Sequence, residues 1–315
     1  MRERTGLSGI FYDRVLPVGT VVAVIVVAWY AFAVLLNAPF ERDQAARAGT
    51  EISTSQLVSN TMAQDRPVLP APHQVASEIW ETTALKKITS KRSLVYHGWI
   101  TLYSTLMGFV LGTGLGILLA VLIVHSNILD KSLMPWIITS QTIPILAIAP
   151  MLIVVLNAID LSRFLPDALA GTHVEYIVKD VLPKALISAY LSFFPVAVGM
   201  VKGLRSPDVM HLDLMRTYNS SRSQVFWKLR WPSAVPFLFT SMKVAVAISL
   251  VGAIVGELPT GAVAGLGARL LTGSYYGQTI QIWSALVSAA VLAAMLVMLV
   301  DLSSRIVMNR MGMAR

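Results

Sequence analysis

Long apolar runs alternate with polar segments along the chain, and their lengths predict an all-α protein that crosses a membrane six times. Val15 to Asn37 is apolar throughout, long enough for a hydrocarbon core of about 30 Å at about 1.5 Å rise per residue. A signal peptide has an apolar core of only about 7–15 residues, so this run reads as a retained anchor; the small residues around Ala46-Arg47-Ala48 are of the kind a cleavage site would use. Further spans are predicted over 98–124, 133–156, 182–201, 237–258 and 279–303.

The segments between the spans differ in character. Residues 38–96 are polar, and the stretch from Glu41 to Asp65 lacks apolar periodicity, which predicts loose order. After Pro70 and Pro72, Val75, Ile79 and Thr83 share one face while Glu78 and Glu81 lie off it. This is a short amphipathic helix that lies on the bilayer or on neighbouring helices. The second span carries Gly108, Gly112 and Gly116 on one stripe, which serves either tight packing inside the subunit or a translocation path. A hydrophilic turn follows over 125–132. The third span contains Thr142-Ile143-Pro144 and Pro150, whose missing donors should bend or unwind it. Such a break is tolerated in lipid only where protein or a water-filled cavity covers it, which favours a functional reading.

Residues 157–181 form a polar loop, and the fourth span includes Pro183 and Pro195. Lys202 to Pro236 is the one long basic segment between two spans, with Lys202, Arg205, Arg216, Arg222, Lys228 and Arg230 against Asp208 and Asp213. It reads as two short helices around a break at Asn219-Ser220-Ser221. The first holds Val209, Leu212, Met215 and Arg216 at helical spacing; the second holds Val225, Phe226, Leu229 and Trp231 before Pro232 stops it. In the fifth span Lys243 can snorkel toward the basic side, and Glu257 lies about 21 Å further along the axis. Pro259 to Gly277 is a Gly-rich loop. No strand precedes it and no Lys-Ser/Thr follows, so it is not a phosphate loop. The organisation is then residues 1–37 as N-terminus and anchor, 38–96 as an external segment, 97–305 as a core of five spans with the loop 202–236, and 306–315 as a tail.

Composition and charge orient this arrangement. Of 315 residues 55% are apolar and 13% charged, against about 25% charged in soluble domains. In such a chain the net charge of +8 reports basic loops on the cytoplasmic side and gives no support for a nucleic-acid partner. Residues 1–14 hold three Arg against two acids, and the end of the chain after Asp301 holds Arg305, Arg310 and Arg315 with no acid. Six spans place both termini and the loop 202–236 on this basic side. The opposite loops are poorer in basic residues: 157–181 has two basic and four acidic residues, and 258–278 has only Arg269. A multi-pass membrane protein with both termini cytoplasmic is expected.

The chemistry that catalysis would need is missing. There is no Cys, the five His are scattered without ligand spacing, and no carboxylate pair, Ser/His/Asp arrangement or nucleotide motif occurs. Neither a catalytic residue, a metal site nor a cofactor is expected. A stand-alone channel or ion-coupled carrier would more often carry ionisable residues in mid-membrane, and here they lie at span edges. A pore driven by an outside energy source fits better, with the basic loop as the place where that source pushes. The carrier reading and a scaffold that recruits cytoplasmic proteins remain the alternatives.

Over about residues 68–305 the chain resembles the permease subunits of ATP-binding-cassette importers, in particular the nitrate/sulfonate/taurine group. In that family the loop starts with Glu-Ala-Ala, has Gly four residues after the second Ala, and ends in a hydrophobic-x-Leu-Pro. Here the register falls on Asp213-Leu214-Met215-Arg216-Thr217-Tyr218-Asn219 and on Leu229-Arg230-Trp231-Pro232. The group's Leu-Pro-Ser-Pro looks like Leu69-Pro70-Ala71-Pro72. Its proline-bearing span looks like Thr142 to Pro150, and its acid ending the fifth span looks like Glu257-Leu258.

The resemblance implies the type I importer permease fold and a loop, residues Asp213 to Arg222 including Ser220 and Ser221, that docks on cytoplasmic ABC ATPase subunits. It implies a second permease copy, identical or different, a periplasmic solute-binding protein, and a small polar solute such as nitrate, a sulfonate, taurine or a vitamin- or pyrimidine-like compound. Candidate path residues are Pro144, Pro150, Gly108, Gly112, Gly116 and Glu257. The sequence departs from the motif at three places. Asp213 is shorter than Glu, Leu214 and Met215 are bulkier than Ala, and Asn219 stands where Gly is usual, as the next residue most tolerant of positive φ.

Overall fold

A computed structural model describes residues 16–159, 177–258 and 264–313. Twelve helices are found among them: α1 (Leu16–Ala48), α2 (Thr54–Ala63), α3 (Pro72–Trp80), α4 (Leu94–His125), α5 (Asn127–Ser140), α6 (Ile145–Ile159), α7 (Leu182–Leu204), α8 (Val209–Thr217), α9 (Arg222–Val225), α10 (Trp231–Glu257), α11 (Leu266–Tyr275) and α12 (Thr279–Arg310). π-turns at Glu81–Leu85, Ile177–Val181 and Phe226–Arg230 join on to α3, α7 and α10. Five helical stretches are long and apolar enough to cross a membrane, or six if the bent pair α5–α6 counts as one. The chain divides into two compact units, residues 1–87 with 270–285, and 88–269 with 286–315.

The first unit corrects the expectation of loose order over 41–65. α1 runs through Pro39 to Ala48, and α2 follows. Polar side chains build this order. The buried Glu41 carboxylate accepts from Asn60 Nδ2 at 3.2 Å and from Gln64 Nε2. Asn37, also buried, accepts from the Val68 amide at 2.7 Å and donates to the Leu69 carbonyl at 2.9 Å. Trp29 Nε1 donates to the Pro70 carbonyl at 3.0 Å. These bonds satisfy the backbone of an irregular strip that apolar periodicity could not register. α3 starts on Pro72 and buries Val75, as its pattern predicted.

In the second unit α7 lies between α4 and α10 and contacts both extensively. Small residues allow the approach. A Cβ on Gly108 would lie 2.6 Å from the Ala185 carbonyl oxygen, and one on Gly116 would lie 2.8 Å from that of Phe193. The glycine stripe therefore packs on α7, and its backbone is covered by that helix. Hydroxyls tie α10 to both helices: Ser188 on α7 meets Ser249 at 2.6 Å, and Ser249 Oγ donates to the Thr105 carbonyl on α4 at 2.9 Å. One apolar cluster (Ile123, Ile137, Met200, Leu204, Phe226) fills the end nearest the polar loop, and another (Phe109, Val196, Val246, Leu296, Val300) brings in α12.

Several proline expectations need correction. The 125–132 turn shrinks to Ser126, after which α5 begins at once. The third span breaks at Gln141–Pro144, where α5 and α6 meet at 102°. Pro150, Pro195 and Pro236, by contrast, lie inside continuous helices. Pro232 does not stop its helix either: the π-turn at Phe226–Arg230 carries the chain through it into α10. The 102° break has a specific partner. Pro144 has no N–H for the Ser140 carbonyl, and Tyr190 Oη on α7 donates to that oxygen at 2.7 Å instead. Tyr190→Phe is expected to leave the carbonyl orphaned and cost about 1–3 kcal/mol, read as a lower melting midpoint of the purified protein.

Candidate functional site

The polar loop is the first candidate site. Its entry is the end of α7, capped at Arg205, and its exit is a helical stem running from Arg222 to Glu257, about 54 Å long at helical rise. Inside the loop Asp208 caps α8 by accepting from the Met210 amide at 3.1 Å. α8 ends on Asn219, whose φ of 51° makes it the one non-glycine with positive φ among the described residues. The Asn219 amide donates to the Arg216 carbonyl at 2.9 Å and the Ser220 amide to that of Met215 at 3.0 Å. This is the paired-bond ending of a Schellman motif, with Asn in the place glycine usually takes. Ser221 then opens α9 with a reciprocal cap: its amide donates to Gln224 Oε1 at 2.8 Å, and the Gln224 amide donates to Ser221 Oγ at 3.3 Å. The break at Asn219-Ser220-Ser221 is thus a fixed corner.

α8 buries none of its residues fully. Leu212 and Met215 are half-buried, the inward part of the predicted stripe, whereas Val209 is exposed. A second stripe, spaced by four, faces out: Met210, Leu214 and Tyr218 are 77%, 51% and 75% exposed. Asp213 and Arg216 pair at 2.9 Å beside it, and Thr217 Oγ1 donates to the Asp213 carbonyl at 3.0 Å. Arg222 is exposed at the start of the stem. Leu214 and Tyr218 were within the candidate set; Met210, one turn before Leu214, completes their face and was readable at that spacing.

The remaining candidates lie apart from the loop. Gly108, Gly112 and Gly116 pack against α7. Pro144 is exposed at the bend beside Gln141 and Thr142, and Pro150 is exposed on α6. Glu257 is buried at the opposite end of the stem, where its carboxylate takes donors from its own chain. Thr101 Oγ1 donates to it at 2.8 Å and the Gly267 amide at 2.8 Å. Thr101 Oγ1 in turn accepts from the Leu266 amide at 2.9 Å, and His97 Nδ1 accepts from the Gly265 amide at 3.0 Å. Three successive amides at the start of α11 are thereby capped by side chains of α4 and α10, and the carboxylate sits at the positive end of the helix. α11 itself lies where a Gly-rich loop was expected; the 157–181 loop lies mostly outside the described residues. Lys243 pairs with Asp301 on α12, whose other oxygen lies 2.8 Å from Arg305 Nε. His97, Thr101, Tyr190 and Asp301 carry no local signal, since each acquires its role from a partner far away in sequence.

Among the described residues no group of His, Cys, Asp or Glu could hold a metal ion. Long apolar helices, a bent helix pair and a capped polar loop define a polytopic membrane protein. The family of binding-protein-dependent transport system inner membrane components matches residues 112–313, and the chain belongs to that family. Its fold is that of the type I ABC importer permease, and it is a permease subunit of an ABC importer. It is 27% identical over 216 residues to a probable ABC transporter permease protein of Haemophilus influenzae, covering 69% of this chain and 76% of that one. It is 28% identical over 211 residues to the formylaminopyrimidine transport permease ThiX of Halalkalibacterium halodurans, covering 67% and 72%. It is 27% identical over 242 residues to the riboflavin transport system permease RibX of Chloroflexus aurantiacus, covering 77% and 80%.

Proposed function

We propose that the loop 202–236 is the surface on which a separate ABC ATPase subunit docks, so that hydrolysis outside this chain drives a small polar solute through it. The observation that carries this reading is the exposed Met210–Leu214–Tyr218 stripe on a helix held rigid at both ends. Apolar side chains on a fixed, otherwise polar element fit a protein groove, and the acidic and basic residues beside them set its register. Both termini then share the loop's cytoplasmic side, in line with the basic charge there. A second permease, identical or different, completes the path, and a periplasmic solute-binding protein delivers solute at the opposite face. The bend at Gln141–Pro144, with exposed polar side chains beside Pro144, is the favoured stretch of path wall; Pro150 follows it on the same broken span. The covered Gly108, Gly112 and Gly116 and the self-satisfied Glu257 act by positioning helices. The solute is drawn from the range of the relatives, whose names include formylaminopyrimidine, riboflavin, aliphatic sulfonates and nitrate.

Asn219→Pro tests the docking surface. Proline holds φ near −65°, which the observed 51° forbids, so the corner must rearrange. In proteoliposomes carrying the full importer, ATP-dependent uptake of a panel of those four solutes is expected to fall at least tenfold, while Asn219→Gly retains it. Charge reversal of Arg216 and Arg222 is expected to uncouple hydrolysis from uptake. Uptake by this chain in vesicles without an ATPase would instead establish the stand-alone carrier.

A further inference from the structure

Each leg of the polar loop carries an ion pair to a helix outside the α4–α7–α10 bundle. On the entry leg Arg205 Nη2 lies 2.8 Å from Asp130 Oδ2, in the first turn of α5. On the exit leg Lys243 pairs with Asp301 of α12, and Asp301 also holds Arg305. α5 leads directly into the 102° bend, and its last turn is fixed to α7 through Ser140 and Tyr190. α12 meets α10 through apolar side chains such as Val246, Leu296 and Val300. Apolar contact alone gives little preference for one helix position in lipid, because acyl chains replace it at small cost. A salt bridge does give one, because its charge-assisted hydrogen bond is met at one separation and orientation, and both pairs keep that geometry while partly exposed.

We propose that Arg205–Asp130 and Lys243–Asp301 are positioning contacts that carry movement of the loop outward, the first to the broken span and the second to α12. The inference rests on the reading of the loop as the ATPase docking surface. A displacement of the entry leg draws Asp130, and with it the root of α5, while the exit stem draws Asp301. The two pairs differ in what a single substitution leaves behind. Lys243→Met leaves Asp301 with Arg305. Asp301→Asn leaves both Lys243 and Arg305 without this carboxylate and is therefore the stronger lesion.

The chain has no cysteine, so introduced thiols are the only labelling sites on it. Trp136→Cys on α5 and Leu299→Cys on α12 are both exposed positions for spin labels. In the importer reconstituted with its ATPase, the label distance is measured without nucleotide and after trapping with ATP and vanadate. The distance is expected to shift in the parent, to lose that shift in Asp130→Arg and Asp301→Asn, and to regain it in Asp130→Arg/Arg205→Asp, where the charges are exchanged. The regain separates positioning from a general loss of fold. Should Asp301→Asn fail to fold, Lys243→Met/Asp301→Asn strands no lysine and is expected to fold and to lose the shift. If the ATPase does not bind the parent, the docking reading falls, and the inference with it. If the ATPase binds and the shift is absent from the parent, or survives in Asp130→Arg and in the Asp301 variants, the inference alone is overturned.

Discussion

Gly112→Val is expected to destabilise the protein by about 3 kcal/mol or more, the upper end for overpacking a close contact. A Cβ at this position would lie 2.8 Å from the Ala189 carbonyl oxygen and 3.2 Å from Ala189 Cα, and it would also strike Ser192 Oγ. The first two are backbone atoms of α7, which cannot yield by changing rotamer. α7 is also packed against α10, so it cannot move away from α4 without disturbing the Ser188–Ser249 contact. Gly112→Ala carries the same Cβ and is expected to lose part of this stability. Gly114 provides the control on the same helix. A Cβ there would meet nothing within 4 Å, so Gly114→Ala is expected to be neutral or stabilising through its helix propensity. Melting midpoints of the three purified variants in one detergent check the order, and equal midpoints for Gly112→Val and Gly114→Ala would refute the packing role.

The contrast between Gly112 and Gly114 shows how far sequence could reach. The apolar runs fell on all five helices long enough to cross a bilayer and on the bent pair α5–α6, because a bilayer demands length and apolarity and both are local properties. The stripe of glycines was legible as a close-approach surface, but not the identity of its partner, since packing and path readings use the same small residues. Prolines showed the same limit. Pro144 and Pro150 look alike in sequence, yet one sits at a break and the other inside a helix. A donor 46 residues beyond Pro144, the Tyr190 hydroxyl, serves the carbonyl at that break. The corner at Asn219-Ser220-Ser221 was readable because capping chemistry is local. Which face of α8 stays outside was not, since Leu212–Met215 and Met210–Leu214–Tyr218 both have helical spacing, and only packing of the loop separates them. The order over 41–65 was missed because it comes from Asn37, Glu41, Asn60 and Gln64, polar residues that periodicity counts as exposed.

Glu257→Ala is expected to produce the largest loss among the polar variants, about 3 kcal/mol or more, because it removes the acceptor for two buried donors at once. The Gly267 amide and the Thr101 hydroxyl both point at the carboxylate, and no water-accessible surface remains on Glu257 to replace it. Glu257→Gln separates geometry from charge. Its amide oxygen can still accept from Gly267, while its NH2 group faces Thr101. Thr101 can then turn its own proton to the His97 carbonyl, 3.2 Å away, and go on accepting from Leu266. The glutamine variant therefore keeps the three amides of α11 capped and loses only the charge that faces the helix terminus, a difference of about 0.3–2 kcal/mol. The expected order of melting midpoints is wild type, then Gln, then Ala, with hydrogen exchange at the Gly265, Leu266 and Gly267 amides accelerated strongly in Ala and weakly in Gln. Unchanged protection of these amides in Glu257→Ala would show that α11 is held by other contacts. Because the same residue ends the stem that begins at the polar loop, the variants also test what the far end contributes to transport. If α11 must be fixed to α4 and α10 for solute to pass, uptake follows the midpoints in the same order, while ATPase binding at the loop, about 54 Å away along the helix, is retained.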